Sequence, residues 1–230
     1  MFDLGERFGA ATFGWAFLEG NTIAGVMDEF EAQVKLPKTV GEAAEQLRDY
    51  FLKRMRAHLD AGYDDEPPEG HDVLGFIVGG YDKEGIGRLK LVYLPSGEIA
   101  DGSATSAGET GVHWQGEPDV FVRLLKGYDA LRLDTSSWSD EQRAQLEQLE
   151  YLAPVYRMTL QDAVDFAAFV IRTTVDMQRF SDGTVGDPRG FPTCGGEPEI
   201  LVVTSRGLSW VQRRGLQRAS APGHAEGARD

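Results

Sequence analysis

The run His71-Asp72-Val73-Leu74-Gly75-Phe76-Ile77-Val78-Gly79-Gly80-Tyr81-Asp82 is apolar between charged ends, and residues 88–94 repeat the pattern before Pro95-Ser96-Gly97. Short runs rich in β-branched and aromatic residues, closed by turn residues, read as strands. The first is expected to be a fully buried strand, the second its hairpin partner, and residues 98–100 a third strand. An antiparallel sheet therefore sits near the middle of the chain, and the remaining segments must cover it.

Upstream, Arg7-Phe8-Gly9-Ala10-Ala11-Thr12-Phe13-Gly14-Trp15-Ala16-Phe17 mixes small residues with aromatics in near alternation, as in a strand packed closely against its neighbours. Asn21 is placed to cap a helix whose apolar positions Ile23, Val26, Met27, Phe30 and Val34 recur at helical spacing until Pro37 stops it. Thr39-Val40-Gly41-Glu42 has the form of a capping box, and the stripe Val40, Ala44, Leu47, Phe51, Met55, Leu59 runs on to Gly62. Residues 60–70, rich in acids, prolines and glycines, read as a solvated loop.

Downstream, the Gly/Ser/Thr-rich residues 101–111 read as loop, with a short edge strand allowed for at Val112-His113-Trp114-Gln115-Gly116. Pro118 opens a helix carrying Val120, Phe121, Leu124 and Leu125 as far as Gly127. Residues 139–151 favour a polar helix. Thr159-Leu160-Gln161-Asp162 opens the strongest helix, with Val164, Phe166, Ala167, Val170, Ile171 and Val175 along it. Residues 199–204 and 208–213 form a closing hairpin across Ser205-Arg206-Gly207, and the Arg/Ala/Gly-rich residues after about 213 are expected to fray. Adjacent helix pairs between antiparallel strand groups cannot be crossovers of a parallel sheet, so they must form layers on sheet faces. The expected class is α+β.

Composition limits the partners. The 230 residues carry 37 acids against 23 bases, a formal charge of −14 that repels phosphate backbones and anionic headgroups. Nucleic acid and membrane are not expected partners. The single cysteine, Cys194, excludes an internal disulfide, and His58, His71, His113 and His224 lack metal-ligand spacing. No apolar run reaches the roughly 18–20 residues that span a bilayer, and the amino terminus lacks the form of a signal peptide. A cytoplasmic protein is expected.

Four stretches are similar to proteasome-type subunits of the N-terminal nucleophile hydrolase fold, a family that includes bacterial proteasome-like proteins. Met1-Phe2-Asp3-Leu4-Gly5-Glu6-Arg7-Phe8-Gly9-Ala10-Ala11-Thr12-Phe13-Gly14 resembles the family's early hairpin leading to a small-residue strand. The two helices after it, the hairpin over 73–94 with its Gly-x-Ile-x-Gly-Gly-Tyr-Asp, and the closing helix, Cys194-Gly195-Gly196 loop and 200–212 hairpin follow in the family's order. The resemblance implies one domain over residues 1–213, an α/β/β/α four-layer sandwich of two antiparallel sheets between helices, with a flexible tail over 214–230. It also implies assembly into homo-oligomeric rings or with partner subunits, a peptide substrate and no cofactor.

Active members of the family attack the peptide carbonyl with an N-terminal threonine whose own α-amine is the base. The resemblance implies that the nucleophile's strand, its hairpin partner and a strand bearing an activating lysine precede or open the segment matched by residues 1–14, so that the N-terminal strands are missing here. Met1 has no suitable side chain, and internal Thr12 and Thr22 have acylated nitrogens. No catalytic residue is assigned. Active members also carry an Arg-Asp pair shortly before a Ser-Gly-Gly loop; the matching run is Gly190-Phe191-Pro192-Thr193-Cys194-Gly195-Gly196, with phenylalanine in place of aspartate. Thr193, Cys194, Gly195 and Gly196 line the site by family position, with Asp187 a distant substitute for the aspartate. Ser103, with Thr105 and Ser106, corresponds to the family's serine-bearing loop.

Each residue also has a plainer reading. An unpaired cysteine such as Cys194 is more often a small buried side chain than a nucleophile or redox switch. His113 fits an ordinary strand-edge histidine, and Asp64-Asp65-Glu66 a solvated loop. Residues 103–108 lack the lysine and helix start of a phosphate loop, and no Gly-x-Ser-x-Gly elbow occurs. Two function classes remain: an N-terminal nucleophile peptidase or amidohydrolase whose nucleophile lies upstream, and a non-catalytic ring or scaffold subunit that acts by self-assembly or partner binding.

Overall fold

The computed structural model describes residues 1–213 apart from 6, 65, 103–109, 131–132, 185–186 and 189–191. Ser103, Thr105, Ser106, Gly190, Phe191 and the 214–230 tail lie outside the described residues. In chain order the elements are β1 (Phe2–Asp3), β2 (Phe8–Gly14), β3 (Phe17–Leu18), β4 (Asn21–Thr22), α1 (Ile23–Gln33), α2 (Val40–Asp60), β5 (Leu74–Tyr81), β6 (Gly87–Leu94), β7 (Ile99–Asp101), α3 (Asp119–Lys126), α4 (Asp140–Glu147), α5 (Leu160–Phe180), β8 (Gly183–Thr184), β9 (Asp187–Pro188), β10 (Ile200–Thr204) and β11 (Gly207–Gln212). The chain is thus a mixed α+β protein with antiparallel sheets.

The principal sheet has the order β1-β2-β5-β6-β7. Its register sets Ala10 beside Val78, Thr12 beside Phe76, and Phe76 beside Val92. Since successive strand residues point to opposite faces, Phe8, Ala10, Leu74, Phe76, Val78, Val92 and Leu94 share one face, and all are buried in the main core. Helices α1 and α2 supply the rest of that core: Ile23, Val26, Met27 and Phe30 from the first, and Val40, Ala44, Leu47, Phe51 and Met55 from the second. The Phe51 and Phe76 rings meet at 4.6 Å between centroids. Fully burying an aliphatic or aromatic side chain of this size stabilises by about 1.5–3 kcal/mol, so this layer contact dominates the fold.

The opposite face carries Gly9, Ala11, Phe13, Gly75, Ile77 and Gly79, and here small residues admit a second sheet. A Cβ on Gly9 would come 2.7 Å from Leu201 Cδ2 and 3.3 Å from Val203 Cγ2 of β10. Leu201 pairs with Trp210 and Val203 with Leu208 across the β10–β11 hairpin, so these four side chains share the hairpin face turned to β2. Ser209 and Val211, on the other hairpin face, are exposed. The order through this part of the molecule is helices, five-stranded sheet, two-stranded sheet.

Three expectations are corrected. The first strand ends at Gly14 and does not reach Phe17, because Gly14 takes φ of +88° and any Cβ there would sit 2.1 Å from the Val73 carbonyl oxygen. Phe17 and Leu18 instead pair with Thr22 and Asn21 in a separate hairpin, turned by Glu19 and Gly20 at φ of 52° and 76°, the left-handed pair that a tight hairpin turn requires. With Asn21 in that hairpin, the cap of α1 falls to Thr22, whose hydroxyl accepts from the Gly25 N–H. Residues 112–116 form no strand, whereas the loop over 60–70 is exposed as expected at every described residue except the half-buried Pro67. Among the described residues no helix is long and apolar enough to cross a membrane.

Candidate functional site

Of the residues singled out by the resemblance, Thr193, Cys194, Gly195 and Gly196 lie between α5 and β10. Helix α5 starts at a reciprocal box in which the Thr159 hydroxyl accepts from the Asp162 N–H and the Asp162 carboxylate accepts from the Thr159 N–H. It runs 21 residues, carrying Gln178 in its last turn to the loop. Gln178 is only 6% exposed. Its Oε1 accepts from the backbone N–H of Thr193 at 3.0 Å and of Cys194 at 2.8 Å. The Thr193 hydroxyl, with a single proton, donates to Glu117 Oε1 at 2.8 Å, the closer of its two acceptors. Glu117 stands just before α3, so one threonine links three segments.

Thr193, Gly195 and Gly196 are exposed, and Cys194 is half-buried. A Cβ on Gly195 would meet nothing within 4 Å, so the loop has open space beside it. On the strand side, the Met1 α-amine donates to Glu199 Oε2 at 2.8 Å, which brings the amino-terminal residue to the segment between this loop and β10. Arg172 of α5 lies 3.8 Å from Glu197. What the arrangement offers chemically is a backbone turn fixed by an amide oxygen, a hydroxyl aligned on a carboxylate, and the chain's α-amine nearby on an acid.

His113 is not part of this group. The Gln115 amide donates to Tyr93 Oη at 3.0 Å and lies 3.1 Å from His113 Nε2, which must then accept. Burial lowers the His113 pKa and, as the first of several causes, raises that of Tyr93. Trp114 packs edge-on to Phe121, and Phe121 on Phe166, joining α3 to α5.

A second polar cluster had no reading in the sequence. His58, 3% exposed, accepts the Glu19 N–H at Nδ1 (2.7 Å) and lies 2.9 Å from Asp64 Oδ2 through Nε2. A backbone N–H only donates, so the Nδ1 lone pair is used and Nε2 carries the proton given to Asp64. The ring stacks on Tyr63, with centroids 5.2 Å apart, and packs against Trp15. Arg54 bonds Glu19, Glu29 and Tyr50, and these partners hold its guanidinium firmly charged. The sequence signal was there: Met55, His58 and Leu59 are spaced to lie on one face of α2, so a histidine on that face needed polar partners. Both ring nitrogens are bound by the protein, which makes His58 a tie between α2, the β3–β4 turn and the acidic loop.

A cavity of about 430 Å³ lies away from the loop, beside β1 and the end of α1, with Asp3, Phe30, Glu31, Lys35 and Arg213 among its walls. The Glu31 pKa is raised, first by burial and then by Asp28 and Asp3, against the opposing charge of Arg213. A cleft of about 360 Å³ opens between α3, α5 and residues 150–156. Among the described residues no group of three or more His, Cys, Asp or Glu gathers to hold a metal ion. No protein-family model matches the chain, and no curated protein matches it.

Proposed function

We propose that the chain is a proteasome-type subunit of the N-terminal nucleophile hydrolase fold, which works by assembling with copies of itself or with partner subunits. The observation that carries this reading is the stacking at Gly9: the five-stranded antiparallel sheet has α1 and α2 on one face and the β10–β11 hairpin on the other. Two facing antiparallel sheets with a paired-helix layer, in this chain order, support this reading, since the sandwich requires two such sheets between helical layers. The Thr193–Gly196 loop leading into the hairpin is consistent with the same scheme.

In such a subunit hydrolysis of a peptide bond needs threonine, serine or cysteine as residue one of the mature chain, its hydroxyl or thiol attacking the carbonyl and its α-amine taking the proton. An α-amine titrates at about 7.7–8.0, so it is a competent base at neutral pH. Met1 brings a thioether, and the internal threonines have no free amine. The scaffold reading is favoured by apolar side chains left in solvent: Tyr151, Leu152 and Tyr156, which line one cleft, are 76%, 90% and 66% exposed, and Leu160 is 62% exposed. Large exposed apolar patches mark association surfaces.

The experiment is fluorogenic-peptide hydrolysis combined with sequencing of the mature amino terminus. Turnover by a protein that begins with threonine, serine or cysteine supports the hydrolase. A stable oligomer without turnover supports the scaffold subunit. Turnover with Met1 still in place overturns the N-terminal mechanism.

A further inference from the structure

The cavity of about 430 Å³ beside β1 is assembled from four distant stretches of chain: β1 with the turn after it, the last turn of α1 with the residues that follow, the first half of α2, and the residue after β11. Its volume falls within the roughly 300–1,000 Å³ of small-ligand sites. Leu4, Phe30 and Ala43 are buried and give it an apolar floor. Leu36 leans over the turn, since a Cβ on Gly5 would come 3.1 Å from its Cδ2. Four charged residues, Asp3, Glu31, Lys35 and Arg213, stand on the walls, and each is exposed.

These charges are of both signs and largely uncommitted. Asp3 Oδ1 accepts the Gly5 N–H at 2.9 Å, which fixes that carboxylate at the turn. The side chains of Glu31, Lys35 and Arg213 make no hydrogen bond or ion pair among the described residues. Arg213 lies over the Trp210 ring, 4.8 Å from its centroid, a contact with the face of the guanidinium that uses none of its N–H donors. Burial and the charges of Asp28 and Asp3 raise the Glu31 pKa, and Arg213 opposes them. The Glu31 carboxylate thus stands in a negative setting that an added cation would relieve. The last turn of α1 carries no basic side chain, so the partial negative charge of its closing carbonyls acts in the same direction.

A simple anion would meet Asp3 and Glu31, and a simple cation would meet Lys35 and Arg213. An uncharged apolar molecule would use the floor and leave both signs unanswered. A small zwitterion with an apolar arm answers all three. We propose that this cavity is a binding site for a free α-amino acid with an apolar side chain, its ammonium donating to Glu31, its carboxylate accepting from Lys35 and Arg213, and its side chain resting on Phe30 and Leu36. The site stands on the cavity and its walls and does not depend on the subunit reading.

The probe is leucine, titrated into the full chain labelled with ¹⁵N, with leucinamide lacking the carboxylate and N-acetylleucine lacking the ammonium. Leucine is expected to shift the backbone N–H signals of Glu31, Lys35 and Gln46 together and saturably. Each of the other two compounds is expected to bind at least about tenfold more weakly, the loss of one charge-assisted contact. Glu31→Gln and Arg213→Gln, both at exposed positions, should each weaken leucine about tenfold. Glu31→Gln should leave N-acetylleucine unaffected, and Arg213→Gln should leave leucinamide unaffected. Signals unmoved by leucine overturn the proposal. Equal binding of the three compounds, or leucine binding unchanged in either variant, also overturns it. Should a variant fail to fold, the contrast among the three compounds on the wild-type chain still decides.

Discussion

At Gly9 a missing side chain governs how two sheets meet. A Cβ there would press to 2.7 Å on Leu201, whereas at its cross-strand neighbour Gly79 the nearest atom would be Leu89 Cδ1 at 3.6 Å, an ordinary contact. Gly9→Val is therefore expected to destabilise by about 1–3 kcal/mol through overpacking. Gly79→Ala is expected to be neutral or to gain up to about 1 kcal/mol, since it restricts the unfolded chain without strain. Urea titration of both variants checks the pair; equal effects would place the hairpin elsewhere. His113 supplies a pH dependence with a definite sign. Burial lowers its pKa from the ordinary 6.5, so below about pH 6.5 the unfolded chain binds the proton more readily than the folded one. Its contribution is unfavourable in acid and disappears as pH rises through 6.5. His113→Gln should flatten the stability profile between about pH 5 and 7, and an unchanged slope there would contradict this.

Among the elements, caps and periodic stripes were the legible part. Thr39 starting α2 and Thr159 starting α5 were readable because a hydroxyl and an acid three residues later satisfy the first free N–H groups, and both helices form where that pattern placed them. Strands β5, β6, β7, β10 and β11 likewise follow apolar runs closed by turn residues. What escaped was set by contacts distant in sequence. The end of β2 is decided by the Val73 carbonyl against Gly14, and the reach of Asp64 back to His58 by the fold of the β3–β4 turn. The Thr193–Gly196 segment was legible as a loop, yet its anchor Gln178 was not, because a glutamine on a helix carries no sign of what its amide will meet. Thr159→Ala removes the α5 cap and is expected to cost about 1 kcal/mol. Faster amide exchange at residues 160–163, with β5 and β6 unaffected, is the signature; uniform exchange throughout would mean that α5 and the sheet unfold together.

For the molecule as a whole, the question is what covers the surfaces that the fold leaves open. On its outer edge β2 is paired only at Gly9 and Ala10, by the two residues of β1, and no described strand pairs with Ala11–Gly14 on that side. A half-open edge of this kind invites pairing with another chain. The helical side adds Tyr151, Leu152 and Phe180, each more than three-quarters exposed. Against these stands a formal charge of −14, whose self-repulsion weakens association at low salt and is screened over about 8 Å at physiological ionic strength. A subunit built for assembly should therefore associate, and more so as salt is raised. Sedimentation velocity on the full chain at micromolar concentration in physiological salt tests the proposed subunit role most directly. The expected result is a discrete species several times the 25.3 kDa of one chain; a single monomer boundary that persists as salt and concentration rise would contradict it.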